Sequence, residues 1–193
     1  LDSISTEAVD EEPAWSPDGT RIAFVSNKYG YYHIYVINAD GSNRVNVTSN
    51  FYQWSCCSGP AWSPDGSKIA FRGAVSDPVN STSPAGTGIW VINSDGTQAV
   101  KLISGDYYHP DWSPDGSKIS MYKMTGVGPE IYVSDSDGSN LTYITEGAVA
   151  SWSGDGGRLT YELNHDIYTV NNDGTDVVQL TTTGRSKWPD WSP

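Results

Sequence analysis

A tryptophan-centred motif recurs along the chain and constrains its fold more than any other feature. Its copies are EPAWSPDGTRIAF from Glu12, GPAWSPDGSKIAF from Gly59, HPDWSPDGSKISM from His109 and VASWSGDGGRLTY from Val149, and a fifth copy begins as WPDWSP at Trp188. The central tryptophans are Trp15, Trp62, Trp112, Trp152 and Trp191, spaced 47, 50, 40 and 39 residues apart. A repeat of this kind indicates one supersecondary unit used several times.

A second motif follows within each repeat. Its copies are HIYVINADGSN from His33, GIWVINSDGTQ from Gly88, EIYVSDSDGSN from Glu130 and DIYTVNNDGTD from Asp166, each followed by a short apolar-alternating run. Alternation with period two predicts strands, and Asp-Gly between two strands predicts a hairpin turn. One repeat therefore predicts four short strands: A with the tryptophan, B after the PDG turn, C of the IYV type and D after the second DG turn.

Four such repeats predict an all-β fold, a β-propeller built from four-stranded antiparallel blades. A period near 40–45 residues is typical of these blades. The repeat units cover approximately residues 12–48, 59–103, 109–145 and 149–181 of a single propeller over 1–193. The ends carry surplus strands, a D strand at 1–6 and an A strand at 188–193. These ends suit a longer propeller, a closed four-blade ring, or strands shared between chains as in a fibre.

Charge and composition exclude several functions. The chain carries 23 acidic and 11 basic residues, a net charge of −12, and lacks the basic stripe that a nucleic-acid partner needs. No apolar run is long enough to cross a bilayer, so no membrane insertion is expected. The two cysteines, Cys56 and Cys57, are adjacent, which leaves either two thiols or one unusual vicinal bridge, and neither makes a disulfide framework.

The two motifs together resemble the WD-like repeat of TolB-type β-propellers. The resemblance rests on P-x-W-S-P-D-G-x-x-I-x-F followed by the IYV and DG segment, and it covers nearly the whole chain. The fourth copy departs from the pattern, with Gly154 in place of proline. The resemblance implies a periplasmic or extracellular protein that engages partner proteins. It also includes propellers that gate the hydrolase domain of prolyl-oligopeptidase-like enzymes.

Catalytic motifs are missing from the sequence. It contains no G-x-S-x-G, no H-E-x-x-H, no P-loop and no G-x-G-x-x-G, and its three histidines fall in three different repeats. We therefore expect no catalytic residues and no enzyme activity, with a non-catalytic domain of a hydrolase as the alternative.

The DG turns are the candidate metal sites. Asp135 with Asp137, and Asn171 with Asp173 and Asp176, resemble the first half of an oxygen-rich calcium loop. The alternative is that each carboxylate caps its own hairpin, which explains all four copies of the turn together. No cofactor other than calcium is expected.

Variable loops carry the predicted ligand-binding face. The D–A and B–C connections lie at one edge of a blade, and they hold all the variation in length among the repeats. Aromatic residues concentrate there, which suggests recognition of a protein or a glycan. They are Tyr29, Tyr31 and Tyr32 in 28–32, Phe51, Tyr52 and Trp54 in 49–59, and Tyr107 and Tyr108 in 106–109.

Three sequons, at Asn46, Asn80 and Asn140, are candidate glycosylation sites if the chain is extracellular. The sequence as a whole predicts a secreted, non-catalytic propeller scaffold that binds a protein or glycan. It leaves open a regulatory hydrolase propeller, and a fibre subunit that forms a homo-oligomer or filament through its terminal strands.

Overall fold

The computed structural model describes residues 8–49, 54–75 and 86–191, and the regular structure of these residues is all β. Its contacts divide the chain into two compact units, Leu1–Asp106 and Tyr107–Pro193. Each unit contains two four-stranded antiparallel sheets in which the strands follow one another in chain order. These sheets are the four predicted blades, and the β-propeller fold class is confirmed.

Eight strands belong to the first unit. Its first blade contains β1 (Asp10–Trp15), β2 (Arg21–Ser26), β3 (His33–Asn38) and β4 (Val45–Asn46). Its second blade contains β5 (Trp54–Trp62), β6 (Lys68–Val75), β7 (Thr87–Asn93) and β8 (Val100–Ser104).

Eight further strands belong to the second unit. The third blade contains β9 (Tyr107–Trp112), β10 (Lys118–Met124), β11 (Pro129–Asp135) and β12 (Thr142–Glu146). The fourth blade contains β13 (Ala148–Trp152), β14 (Arg158–Leu163), β15 (Asp166–Asn171) and β16 (Val178–Gln179). No helix in the described residues is long and apolar enough to cross a membrane.

The turn between the first two strands of each blade is held by its aspartate. In the second blade, Asp65 accepts hydrogen bonds from the Ser67 N–H at 3.0 Å and the Ser63 hydroxyl at 2.6 Å. These bonds lower the pKa of Asp65 to about 2. In the fourth blade Asp155 accepts the same two bonds, from the Gly157 N–H at 2.9 Å and the Ser153 hydroxyl at 2.7 Å. The turn therefore forms without the proline that Gly154 replaces.

A bulge interrupts the first strand of each blade, three residues before its tryptophan. Glu12, His109 and Val149 have positive φ angles of 53°, 46° and 52° at this position, and Gly59 has 61°. The pairing with the second strand shifts register here, as between Glu11 and Ala14. The bulge recurs because a residue in the left-handed conformation bends the strand just before its tryptophan.

The core of the first unit lies between its two blades. Ala23, Val25, Ile34 and Val36 of the first blade pack against Trp62, Ile69, Phe71 and Ile92 of the second, and Cys57 is buried in the same cluster. In the second unit, Ile131 and Val133 of the third blade pack against Trp152, Leu159, Tyr161 and Val170 of the fourth. Alternate residues of a strand point to opposite sides, so within each unit one face of a blade packs against the other blade.

The predicted terminal strands are not found in the described residues. Residues 1–6 lie outside them, and residues 188–191 form no strand, which corrects the predicted A strand at that end. In every blade strand A pairs with strand B, and no strand B follows residue 188 in the described part of the chain. Side-chain contacts hold the segment instead: the Ser151 hydroxyl lies 3.1 Å from the Asp190 carboxylate, and Trp188 packs edge-on against His109.

Candidate functional site

A cleft of about 300 Å³ opens between the loops of the third and fourth blades, within the second unit. It lies at the edge of these blades where strand B ends and strand C begins. Its lining residues are Val127, Gly128, Pro129, Glu130, Glu146, Leu163 and Asn164.

One wall of the cleft is a tight turn between β10 and β11. The N–H and the hydroxyl of Thr125 both donate to the Gly128 carbonyl, at 2.9 and 2.7 Å. Gly128 has a φ of 147°, a conformation that glycine adopts readily. The turn holds Val127 at its tip, where the side chain is 88% exposed. An apolar residue is therefore presented to solvent by a hydrogen-bonded turn.

The opposite wall is the hairpin between β14 and β15. Leu163 pairs with Asp166 across a two-residue turn, and both turn residues, Asn164 and His165, have positive φ angles of 52° and 64°. This is the geometry of a type I′ turn, which asparagine accepts well. Leu163 packs against the blade core, while Asn164 is exposed beside the cleft.

A glycine joins the two blades at the base of the cleft. The Gly147 N–H donates to the Pro129 carbonyl at 2.9 Å. Gly147 has a φ of 141°, and a Cβ there would lie 2.4 Å from the Tyr161 ring. Only glycine therefore lets the chain pass from β12 to β13 so closely, and this passage places the start of the fourth blade beside the end of the third.

Two carboxylates dominate the electrostatics of the cleft. Glu130 and Glu146 are directly opposed in the pairing of β11 with β12. The Tyr132 hydroxyl donates to Glu130 at 2.8 Å, and this hydrogen bond, with some burial, raises the pKa of Tyr132 to about 12. Lys123 opposes Glu130 from β10, but its ammonium lies over the Tyr107 ring, 5.6 Å from the centroid. The cleft thus combines two carboxylates with the apolar side chains of Val127, Pro129 and Leu163, which suits a cationic group on an apolar stem.

The predicted tyrosines of the first blade lie where the sequence places them. Residues 27–32 connect β2 to β3. Tyr29 and Tyr31 are 68% and 59% exposed there, and Tyr32 packs partly against the core. Phe51 and Tyr52 lie outside the described residues.

Three predicted loop aromatics lie in strands instead, which corrects their placement. Trp54 begins β5, and Tyr107 and Tyr108 begin β9. These strands extend beyond the tryptophan motif because β6 and β10 continue far enough to pair with them, as Tyr108 does with Tyr122. Tyr107 is only 6% exposed and packs edge-on against Tyr132. Tyr108 stacks on Tyr122 with 5.4 Å between centroids, so Tyr107 in particular is not open to a ligand.

Hydrogen bonds within the chain already engage the predicted calcium ligands. Asp137 accepts from the N–H and the hydroxyl of Ser139 at 2.8 and 2.6 Å, and Asp173 accepts from the same two groups of Thr175. Asp135 pairs with Lys118 at 2.9 Å.

The remaining two predicted ligands are also engaged. Asp176 pairs with Arg158, and the Asn171 side chain accepts from Arg158 Nε at 3.0 Å. Within the described ranges, no group of three or more His, Cys, Asp or Glu residues could hold a metal ion. These contacts are those of the hairpin-capping alternative, and calcium binding by the same turns stays untested.

The sequons differ in their surroundings. Asn46 is half-buried, and its side-chain oxygen accepts from the Thr48 N–H at 3.0 Å. Asn140 is exposed, and its amide donates to Asp135 at 2.6 Å. Asn80 lies outside the described residues.

Sequence reasoning missed the residues of the cleft. Glu130 and Glu146 stand 16 residues apart in the sequence, and only the strand pairing brings them together. One sequence signal could have indicated the cleft: the connection between the third and fourth blades is very short, since β12 and β13 are joined by Gly147 alone.

Solved TolB structures share this fold. A protein from Agrobacterium tumefaciens assigned as TolB has 21% identity and a TM-score of 0.74, with 89% of this chain and 65% of that chain covered. TolB from Acinetobacter baumannii has 23% identity and a TM-score of 0.73, with 93% of this chain and 45% of that chain covered. The chain has the TolB-type β-propeller fold. It spans less than two thirds of the length of either TolB structure.

The same propeller fold occurs in proteins of other kinds. A chain of a nidogen/laminin complex has 14% identity and a TM-score of 0.72, with 95% of this chain and 67% of that chain covered. A prolyl endopeptidase has 16% identity and a TM-score of 0.60, with 91% of this chain and 29% of that chain covered. No protein-family profile and no curated protein sequence matches the chain.

Proposed function

We propose that this TolB-type propeller is a non-catalytic scaffold that binds a protein partner through the loop edge of its blades. The observation that carries the proposal is the acidic cleft between the third and fourth blades, with Glu130 opposed to Glu146 and the apolar Val127 and Leu163 beside them. A lysine or arginine side chain of a partner protein fits this chemistry, since its alkyl stem can lie along Val127 and Leu163. The cationic end then lies between the two carboxylates.

The surroundings of the cleft support binding over catalysis. Its lining residues include no serine, cysteine or histidine, and its two carboxylates lie at directly paired strand positions, where together they attract a cation. Loop residues on a rigid β scaffold are the usual place for recognition. The exposed Tyr29 and Tyr31 on a loop of the first blade supply a second surface of the kind enriched in protein interfaces.

A matched peptide series tests the proposal. The probes are a short unstructured peptide with one central lysine, the same peptide with acetyl-lysine, and the same peptide with glutamate. Amide chemical shifts of the full chain are followed by NMR during titration. We expect the lysine peptide alone to shift the amides of Val127, Glu130 and Asn164, because acetylation removes the positive charge.

Substitutions in the cleft complete the test. Glu130→Gln and Glu146→Gln should each weaken binding of the lysine peptide by about three- to tenfold, the effect of removing one partly screened charge. The control is Glu11→Gln, which removes an exposed carboxylate of β1 in the first unit. Equal shifts with all three peptides, or equal weakening by all three variants, would contradict the assignment of the cleft.

A regulatory propeller of a prolyl-oligopeptidase-like hydrolase is the second candidate. The fold match to a prolyl endopeptidase favours it. The test is to sequence the gene on both sides of the region that encodes these 193 residues. A hydrolase domain in the same reading frame would carry a G-x-S-x-G nucleophile motif. Such a domain would replace the scaffold proposal with a gating one.

An extracellular or periplasmic location belongs to the same proposal. Secretion from a glycosylating host should produce an endoglycosidase-sensitive mobility shift that Asn140→Gln reduces, because Asn140 is the exposed one of the two sequons in the described residues. A glycan partner and a filament built through the terminal strands remain alternatives. A glycan array and electron microscopy of the purified chain test them respectively.

A further inference from the structure

A tyrosine hydroxyl engages one of the two carboxylates of the cleft. The Tyr132 hydroxyl donates a hydrogen bond to Glu130 Oε2 at 2.8 Å. Tyr132 and Glu130 stand two residues apart on β11, so their side chains lie on the same face of the strand. A ligand that enters the cleft therefore meets Glu130 with one of its two oxygens already accepting a hydrogen bond.

The Tyr132 ring is held in place by two other tyrosines of the third blade. Tyr107 of β9 packs edge-on against it, with 5.6 Å between the ring centroids. Tyr143 of the neighbouring strand β12 makes a second edge-on contact, with 5.8 Å between centroids. Edge-to-face contacts favour one placement of the ring. The hydroxyl at the end of that ring therefore fixes where the Glu130 carboxylate lies.

The Tyr132 hydroxyl stays a hydrogen-bond donor at neutral pH. The hydrogen bond to Glu130, together with burial, raises the pKa of Tyr132 to about 12. A phenol with this pKa keeps its proton throughout the neutral range, and an ionised carboxylate has only acceptors to offer it. The contact between Tyr132 and Glu130 is therefore in place whenever a cation approaches the cleft.

A lysine ammonium suits the oxygens that remain. Glu130 and Glu146 are directly paired across β11 and β12, and the side chains of such a pair start about 5 Å apart. An ammonium is a compact charge with three donors that point in different directions. It can therefore donate to one oxygen of each carboxylate at the same time, and it needs no second oxygen from Glu130.

An arginine guanidinium suits the same oxygens less well. Its donors lie in one plane, and its strongest contact is a pair of parallel hydrogen bonds to both oxygens of one carboxylate. Such a pair with Glu130 has to share Oε2 with the Tyr132 hydroxyl. Such a pair with Glu146 commits two donors to one carboxylate and leaves a single bond for Glu130.

We infer that the cleft selects lysine over arginine side chains of a partner protein, and that Tyr132 sets this preference. The inference rests on the proposed binding of a cationic side chain in the cleft and adds which cation is taken. Tyr132 is a positioning residue, because it acts on the ligand through Glu130. Its effect is on the ratio of the two affinities and not on binding in general.

Two peptides that differ only in the cation test the inference. Short unstructured peptides with one central lysine or one central arginine are titrated into the full chain at the same ionic strength. The dissociation constant of each is measured from the amide chemical shifts of Val127 and Asn164. We expect the lysine peptide to bind about three- to tenfold more tightly, the effect of one charge-assisted hydrogen bond in a partly solvated site.

Removal of the hydroxyl tests the role of Tyr132. Tyr132→Phe keeps the ring that Tyr107 and Tyr143 contact, and it frees Glu130 Oε2 for a second bond from arginine. We expect the two peptides then to bind about equally, because the arginine peptide gains affinity. Tyr168→Phe is the matched control, since Tyr168 occupies the same repeat position in the fourth blade. It should leave the ratio of the two dissociation constants unchanged.

The outcomes separate this inference from the proposed function. Equal binding of both peptides by the original chain, or the same ratio in the original chain and in Tyr132→Phe, would overturn the inference and leave the cationic cleft standing. Weakening of both peptides by the same factor in Tyr132→Phe would show a purely structural role and would overturn it as well. Binding of neither peptide to the original chain would overturn the proposed function, and the inference with it.

Discussion

Trp15 and Trp62 occupy the same position in successive repeats, yet Trp15 is 59% exposed and Trp62 is 7% exposed. Trp62 is covered by the first blade and hydrogen-bonds to it, and Trp15 has no such cover in the described residues. The two residues therefore form a matched pair in which sequence context is constant and burial differs.

Truncation of this pair should separate burial from local sequence. Trp62→Ala should lower the free energy of unfolding by about 3–5 kcal/mol, the usual cost of truncating a buried aromatic. Trp15→Ala should cost less than about 1 kcal/mol, as for most exposed positions. Urea unfolding of the two variants measures both values. Equal losses would show that Trp15 is covered in solution.

The DG turns give a prediction about calcium. Asp137 and Asp173 each accept two hydrogen bonds from the turn that follows them, so the hairpins need no metal to hold them. We expect the same melting temperature in millimolar Ca²⁺ and in chelator. A rise in Ca²⁺ that Asp137→Ala abolishes would instead establish a calcium site, since a ligand stabilises the state that it binds.

The sequence predicts most of the fold because its signals are local. The PDG turns are fixed by hydrogen bonds between residues two apart in the sequence, as between Asp65 and Ser67. The same residues therefore form the same turn in each repeat. The early starts of β5 and β9 could not be predicted because they depend on pairing with β6 and β10. Tyr107 is in a strand since it pairs with Lys123, 16 residues further along the chain.

The cleft was beyond sequence reasoning for a related physical reason. Nothing in the sequence distinguishes Glu130 and Glu146 from other strand carboxylates, and only the register of β11 and β12 opposes them. Leu163 and Asn164 reach the same cleft only because Gly147 lets the fourth blade begin directly after the third. A contact between blades depends on packing that no single repeat encodes.

The strand bulge gives a prediction about the backbone strain at Val149. Val149 has a φ of 52° at the position where the second blade has Gly59 with 61°, and a β-branched residue is strained there. Val149→Gly should have a free energy of unfolding about 0.5–1 kcal/mol higher than Val149→Ala, because both variants lose the valine contacts and only glycine relieves the strained backbone. Thermal and urea unfolding measure the change.

Two control variants accompany Val149→Gly. Val149→Ala keeps a Cβ at the strained position and loses side-chain contacts, so it should destabilise the chain. Gly59→Ala introduces the strain into the second blade and should cost about 1 kcal/mol or more. Stabilisation by Val149→Ala would show that the valine side chain, and not its backbone conformation, is unfavourable.

A buried carboxyl in the second unit gives a prediction about pH. Asp111 lies directly before Trp112 in β9 and accepts a hydrogen bond from the Trp152 N–H at 3.3 Å. Burial, with the nearby Asp190, raises the pKa of Asp111 from 3.8 to about 6. The folded state thus binds this proton more tightly than the unfolded state. The stability that Asp111 contributes is full below pH 4 and is lost as pH rises through 6.

Asp111→Asn should remove this loss because asparagine is neutral at every pH and its carbonyl oxygen can still accept from Trp152. The variant should match the original chain near pH 4 and exceed it at pH 7–8 by about 3 kcal/mol, the value of a pKa shift of about two units. The difference between the two urea unfolding curves, measured from pH 4 to 8, isolates Asp111 from the other carboxylates. A difference that stays constant across this range would show that Asp111 is charged and solvated in the folded chain.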